Sequence, residues 1–220
     1  MFDAKGFADH LYKFWADVAH DKSQFHGADA PWITSREHKL VPDRAPEPFF
    51  GRLDKARVFA LTFNPHHPGG PADLSWKAFC YRMMVGDSDW NSFRAAADSG
   101  ASTWLSRNAG SFAGRSFDGI ANLRLFAYPS HEMSGLGEVR TVLQQLPSVK
   151  TMKSLVHDLL VPSAKSGEIC LLVMRSSDEW GFKKVMADYI EGGLFISRPL
   201  RTASISPGSR VGPLIEQFLR

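Results

Sequence analysis

A chain of 220 residues, 44% hydrophobic and 22% charged, is long and apolar enough to bury one sizeable core. Its 12% aromatic content excludes a disordered or fibrous class, and a net charge of +3 is too small to demand a nucleic-acid partner by itself. No apolar run approaches the roughly 20 residues that span a bilayer, and Asp3, Asp9 and Asp17 interrupt any signal-peptide pattern. Cys80 and Cys170 form no C-x-x-C pair, so both are expected as core residues in a reduced, cytoplasmic compartment, with no membrane partner.

In chain order, residues 3 to 20 read as an amphipathic helix, with Phe7, Leu11, Phe14, Trp15 and Val18 on one face. Pro31, Pro42, Pro46 and Pro48 follow without a sustained period, which predicts an extended arm packed by Trp32, Phe49 and Phe50. Arg57 to Phe63 is the strongest strand signal, a continuous apolar run of the kind buried on both faces of a parallel sheet. It stops at Asn64, which Pro65 forces into extended or turn geometry. Ser75 is placed to cap a helix carrying Trp76, Phe79, Cys80 and Met83, and Asp87 or Ser88 to start another. The stretch from Ser99 to Gly119 is rich in Gly and Ser and reads as irregular.

Leu123 to Tyr128 is the second predicted strand, followed by helices over Glu138 to Leu146 and Ser148 to Leu160, the latter ended by Pro162. Ile169 to Met174 is the third. Ser176 with Glu179 three residues on forms a capping-box pattern that predicts a helix toward Ile190. Leu194 to Ile196 and Leu200 to Ile205 are shorter strands, and a last helix carries Val211, Leu214, Ile215 and Phe218. Strands alternating with helices predict a three-layer α/β/α fold with a mainly parallel central sheet of about four strands. Residues 1–220 then form a single α/β domain, with residues 1–50 packed on it as an N-terminal helix and Pro-rich arm.

In such a sheet the carboxyl ends of the parallel strands lie along one edge, where ligands bind. Four polar segments follow strand ends: Asn64-Pro65-His66-His67, Tyr128-Pro129-Ser130-His131, Arg175-Ser176-Ser177 and Ser206-Pro207-Gly208-Ser209-Arg210. Asn64 can orient water or read a base edge, His67 and His131 can act as acid or base near neutral pH, and Arg175 and Arg210 can hold phosphate. Pro65, His66, Tyr128, Ser130, Ser206 and Ser209 complete the expected binding surface. Turn formation and capping are the alternative role for each of these segments. Four arginines after Leu194 (Arg198, Arg201, Arg210, Arg220), opposed only by Glu216, match the whole cationic excess; they read either as a phosphate-facing cluster or as solvated surface. Gly135-Leu136-Gly137 lacks the third glycine of a dinucleotide fingerprint, and no Walker phosphate loop or nucleophile elbow is present. His66, His67 and His131 with Glu132 make a poor metal set, because adjacent histidines do not naturally aim at one ion. No metal and no cofactor are expected.

The segment Leu61-Thr62-Phe63-Asn64-Pro65-His66-His67 resembles the first motif of the uracil-DNA glycosylase superfamily, where a strand ends in Gly-Gln-Asp-Pro-Tyr-His or Gly-Ile-Asn-Pro-Gly. Ser75-Trp76-Lys77 is similar to the Phe-Trp-Lys that begins the next helix of the mismatch-specific branch, and Ser206-Pro207 matches part of a His-Pro-Ser-Pro motif. The resemblance implies that Asn64 orients water for N-glycosidic bond hydrolysis, with DNA or a nucleotide as partner. It also carries departures: Ser204 stands where the family has histidine or asparagine, and Tyr128-Pro129-Ser130 stands where its second strand ends in asparagine. The competing expectations are a non-catalytic nucleotide- or nucleic-acid-binding domain, or a small-molecule hydrolase using the strand-end histidines.

Overall fold

The computed structural model describes residues 1–33, 40–41, 43–63, 74–87, 116–130, 142–174, 176–198 and 205–220. Its centre is strand β2 (Val58–Thr62), the run singled out above. On one side β2 pairs in parallel with β3 (Ile120–Arg124), which follows the short helix α3 (Ser116–Gly119), on the other with β4 (Cys170–Val173). β4 in turn pairs in parallel with β6 (Leu194–Ile196). Val58, Phe59, Ala60 and Leu61 are all 0% exposed, as a strand covered on both faces requires.

The sheet has six strands and is mixed, in contrast to the mainly parallel sheet of about four strands expected from sequence. Both additions are antiparallel edges. At one edge the Pro-rich arm runs back along the chain beyond β3. Phe49 and Phe50 form β1 against Leu123 and Asn122, Glu47 N–H bonds Ala127 O at 2.7 Å, Val41 N–H bonds Pro129 O at 2.9 Å, and Leu40 bridges Ser130. Prolines cannot donate to a ladder, so this segment suits an edge and no interior position. At the other edge β5 (Tyr189–Glu191) turns through Gly192-Gly193 onto β6.

Further differences have local causes. The second strand spans Ile120–Arg124, several residues before Leu123 to Tyr128, because residues 125–130 pair with the arm and with Thr62 and Phe63 carbonyls. The helix expected from Ser176 is a turn: Ser176 has φ 55 and Gly181 φ 89, and both conformations break a helix. Pro162 does not end its helix. α4 (Pro147–Leu155) continues through a π turn (Val156–Leu160) into α5 (Val161–Lys165), where Val161 N–H reaches back to Val156 O. Widening the turn accommodates a proline that can neither donate nor fit under an ordinary helical carbonyl. Trp32 is 43% exposed and does not pack the arm. The strand expected at Leu200 to Ile205 and the helices expected after Asp87 and over Glu138 to Leu146 fall wholly or largely outside the described residues.

Register assigns side chains to faces, since paired residues share one. Phe59 and Leu61 lie with Phe49 on the face covered by α1 (Ala4–Asp21), whose Phe7 ring sits 5.5 Å from Phe59 and Tyr12 5.8 Å from Phe49. Ala60 and Thr62 lie with Phe50, Asn122 and Arg124 on the other face. There Trp76 of α2 (Leu74–Met84) meets Phe50 at 5.4 Å. A buried polar knot ties the N-terminal segment to the chain after β3 and to the start of α4: Asp29, 0% exposed, accepts the Tyr128 hydroxyl at 2.6 Å and Ser148 N–H at 3.0 Å. Both cysteines are buried and free. Among the described residues no helix is long and apolar enough to cross a membrane.

Candidate functional site at the carboxyl edge of the sheet

Numbered in chain order, the four parallel strands lie side by side as 2-1-3-4. The winding therefore reverses between β2 and β4, and the crevice outside the carboxyl ends of those two strands is where an open α/β sheet receives a ligand. β2 delivers Phe63 there, one residue before Asn64; β4 delivers Met174, one before Arg175. Asn64, Pro65, His66, His67, His131 and Arg175 all lie outside the described residues.

The described part of the edge holds polar groups that sequence reasoning missed. Asn122, 1% exposed, donates from its side-chain amide to Ala60 O at 3.0 Å and accepts from the Thr62 hydroxyl at 3.2 Å. It braces the β2–β3 pair on the face that carries Val58, Ala60 and Thr62 from β2. Arg124, opposite Thr62, forms a buried ion pair with Glu47, which also accepts Trp76 Nε1–H at 2.8 Å. The same guanidinium lies 4.3 Å over the Phe50 ring, a cation–π contact strengthened by burial. Arg44, 7% exposed, is buried in the same arm, and burial beside Glu47 pushes the Cys80 thiol well above its ordinary value. Such a thiol is no nucleophile. The missed signal lay in Ile-Ala-Asn-Leu-Arg, where alternate positions of an apolar strand are polar.

Trp180, 0% exposed, closes the β4 side. Its Nε1–H bonds Thr62 O at 3.2 Å, and its own carbonyl accepts His157 Nε2–H at 2.7 Å from the π turn. Since a carbonyl only accepts, His157 carries its proton on Nε2 here.

The remaining expected site residues occupy two places. Tyr128 and Ser130 are each 1% exposed beneath the arm; the Tyr128 hydroxyl is committed to Asp29, and burial with that carboxylate pushes its ionisation well above the ordinary tyrosine value. Ser206, Ser209 and Arg210 form the turn into α6 (Gly212–Leu219), where Ser209 N–H bonds Ser206 O at 2.9 Å. Arg210 ion-pairs with Asp188, which also accepts Arg198 N–H at 3.0 Å. Arg198 follows the carboxyl end of β6, so this turn lies at the same edge of the sheet. Among the described residues no group of three or more His, Cys, Asp or Glu side chains is arranged to hold a metal. Comparison with protein-family models, curated proteins and solved structures finds no match for this chain.

Proposed function

We propose that the protein takes a nucleobase, presented in DNA or as a nucleotide, into the crevice at the carboxyl ends of β2 and β4, and that it acts as a divergent uracil-DNA glycosylase-like hydrolase. The observation that carries this reading is the reversal of winding beside the strand that runs into Asn64-Pro65. Asn122 contributes rigidity and not recognition, because both ends of its amide are committed to Ala60 O and the Thr62 hydroxyl. Helix α1 covers the face of the sheet that carries Phe59, and a three-layer α/β/α arrangement goes with this reading.

Asn64 would orient water toward the glycosidic carbon of a flipped nucleotide. As the new C–O bond forms, the C–N electron pair leaves with the base, a histidine N–H from His67 or His131 stabilises it, and the proton that the water loses ends on the departed base. Arg175 would hold phosphate, and Arg210 would exchange Asp188 for phosphate. A second reading, a base-binding domain without chemistry, is favoured by Ser204 at the position where the family has histidine or asparagine.

Base release from DNA containing uracil or other deaminated bases tests both. The full chain should release base, and Asn64→Ala should lower the rate by about 100-fold or more with an unchanged melting temperature. Asn64→Asp should retain or raise it, since a carboxylate also stabilises an oxocarbenium-like transition state. Base-specific DNA binding without release would establish the second reading. Loss of stability without any functional change would reduce Asn64 to a turn residue.

A further inference from the structure

A groove of about 760 Å³ opens at the opposite, amino edge of the sheet. It lies where Arg57 enters β2, Gly119 enters β3 and Glu168 precedes β4, and the last turn of α6 forms its wall. The volume is that of ordinary small-molecule sites.

Its charges are unevenly matched. Lys55 stands 3.8 Å from Asp118, and Glu168 accepts the Met1 ammonium at 3.0 Å. Both side-chain carboxylates that line the groove are thus engaged, and Arg220, which also lines it, bears the terminal carboxylate as a third. Arg57 reaches only the Glu168 main-chain carbonyl, at 3.4 Å. Neither Arg57 nor Arg220 has a carboxylate partner among the described residues, and both line the groove. Two guanidiniums without a carboxylate partner among the described residues, beside one cavity, favour an oxyanion that can accept a forked pair of hydrogen bonds from each.

The apolar side of the groove is the end of α6. Phe218 and Leu219 are both half-buried and pack against the core. The tip of the Phe218 ring lies so close to Gly193 that an added Cβ there would stand 2.8 Å away, and Leu219 covers Gly119 in the same manner. A half-buried aromatic surface beside guanidiniums suits a flat body attached to the anion. α6 ends in the groove, so its dipole and the terminal carboxylate of Arg220 oppose anion binding there, and the two arginines with Lys55 must outweigh both.

We propose that this amino-edge groove is a second ligand site, for a small phosphorylated molecule with a planar body. Arg57 and Arg220 hold the phosphate and Phe218 packs against the planar part. The site is independent of the carboxyl-edge crevice and lies across the sheet from it.

Isothermal titration of the full chain with phenyl phosphate, phenol and inorganic phosphate at low salt tests the assignment, with a probe that carries no nucleobase. Phenyl phosphate should bind one-to-one and tighter than either fragment, with affinity falling as salt screens the contacts. Arg57→Ala combined with Arg220→Ala should weaken it tenfold or more while the melting temperature holds. The proposal is overturned if phenyl phosphate does not bind, if phosphate alone binds as tightly, or if the double variant binds like the parent.

Discussion

Glu47 and Arg124 show how much depends on single residues in this fold. At 2% and 5% side-chain exposure, each has given up its hydration for the other, with Trp76 and Phe50 as further partners. Glu47→Gln should leave the Arg124 charge buried without its counterion and cost about 3–5 kcal/mol in urea unfolding. A loss below 1 kcal/mol would mean that water reaches the pair. Arg52 and Asp54 give a milder, pH-dependent case. Two hydrogen bonds of 2.9 and 2.8 Å from the guanidinium hold the Asp54 carboxyl below its usual value. A depressed folded value stabilises above the unfolded one, near about 4, and is lost as pH falls through the folded value. Asp54→Asn should therefore flatten the acid limb of the stability–pH curve by less than about 1 kcal/mol, because both side chains remain partly exposed. From sequence, the run into Asn64 was legible because a strand buried on both faces is continuously apolar. Glu47 was not legible, because an aperiodic Pro-rich arm gives no sign of which carboxylate it buries.

At the scale of elements, local chemistry was legible where one signal stood alone and was misread where two competed. The capping-box pattern at Ser176 argued for a helix, while Gly192-Gly193 between Tyr189–Glu191 and Leu194–Ile196 is a hairpin signal. The hairpin prevails because its strands join a sheet and bury Leu194, Phe195 and Ile196, whereas an isolated cap stabilises only one turn. The turn is also sterically closed. A Cβ at Gly193 would lie 2.0 Å from Ile169 O, and one at Gly192 would lie 2.4 Å from Lys165 O. Gly193→Ala should consequently cost about 1–3 kcal/mol through forced backbone shifts, read as a lower melting temperature; an unchanged one would mean the hairpin moves freely away from β4. Pro162 teaches the complementary lesson. A helix with buried residues on both sides of it, Leu160 and Ala164, keeps its axis and absorbs the proline in a π turn.

For the whole molecule, one contiguous hydrophobic cluster runs from Phe7 in α1 through the sheet to Ile215 in α6. Unfolding followed by far-ultraviolet circular dichroism and by tryptophan fluorescence should therefore coincide in a single transition; separate midpoints would split the chain into two cooperative units. The α/β class follows from alternating apolar runs and helical periods, and those were visible. The two antiparallel edges were not, since β1 has two residues and β5 three, too short for a period of two to register. What the assembled sheet adds is the location of the reversal point, which no single stretch of sequence contains. That location is the claim on which the proposed function rests, and backbone amide shifts in a titration of the ¹⁵N-labelled chain with free uracil test it most directly. The expected result is saturable movement at Thr62, Phe63, Leu125 and Met174, around the carboxyl ends of β2, β3 and β4. Movement confined to Gly119 and Gly167 at the amino edge, or no movement at all, would contradict it.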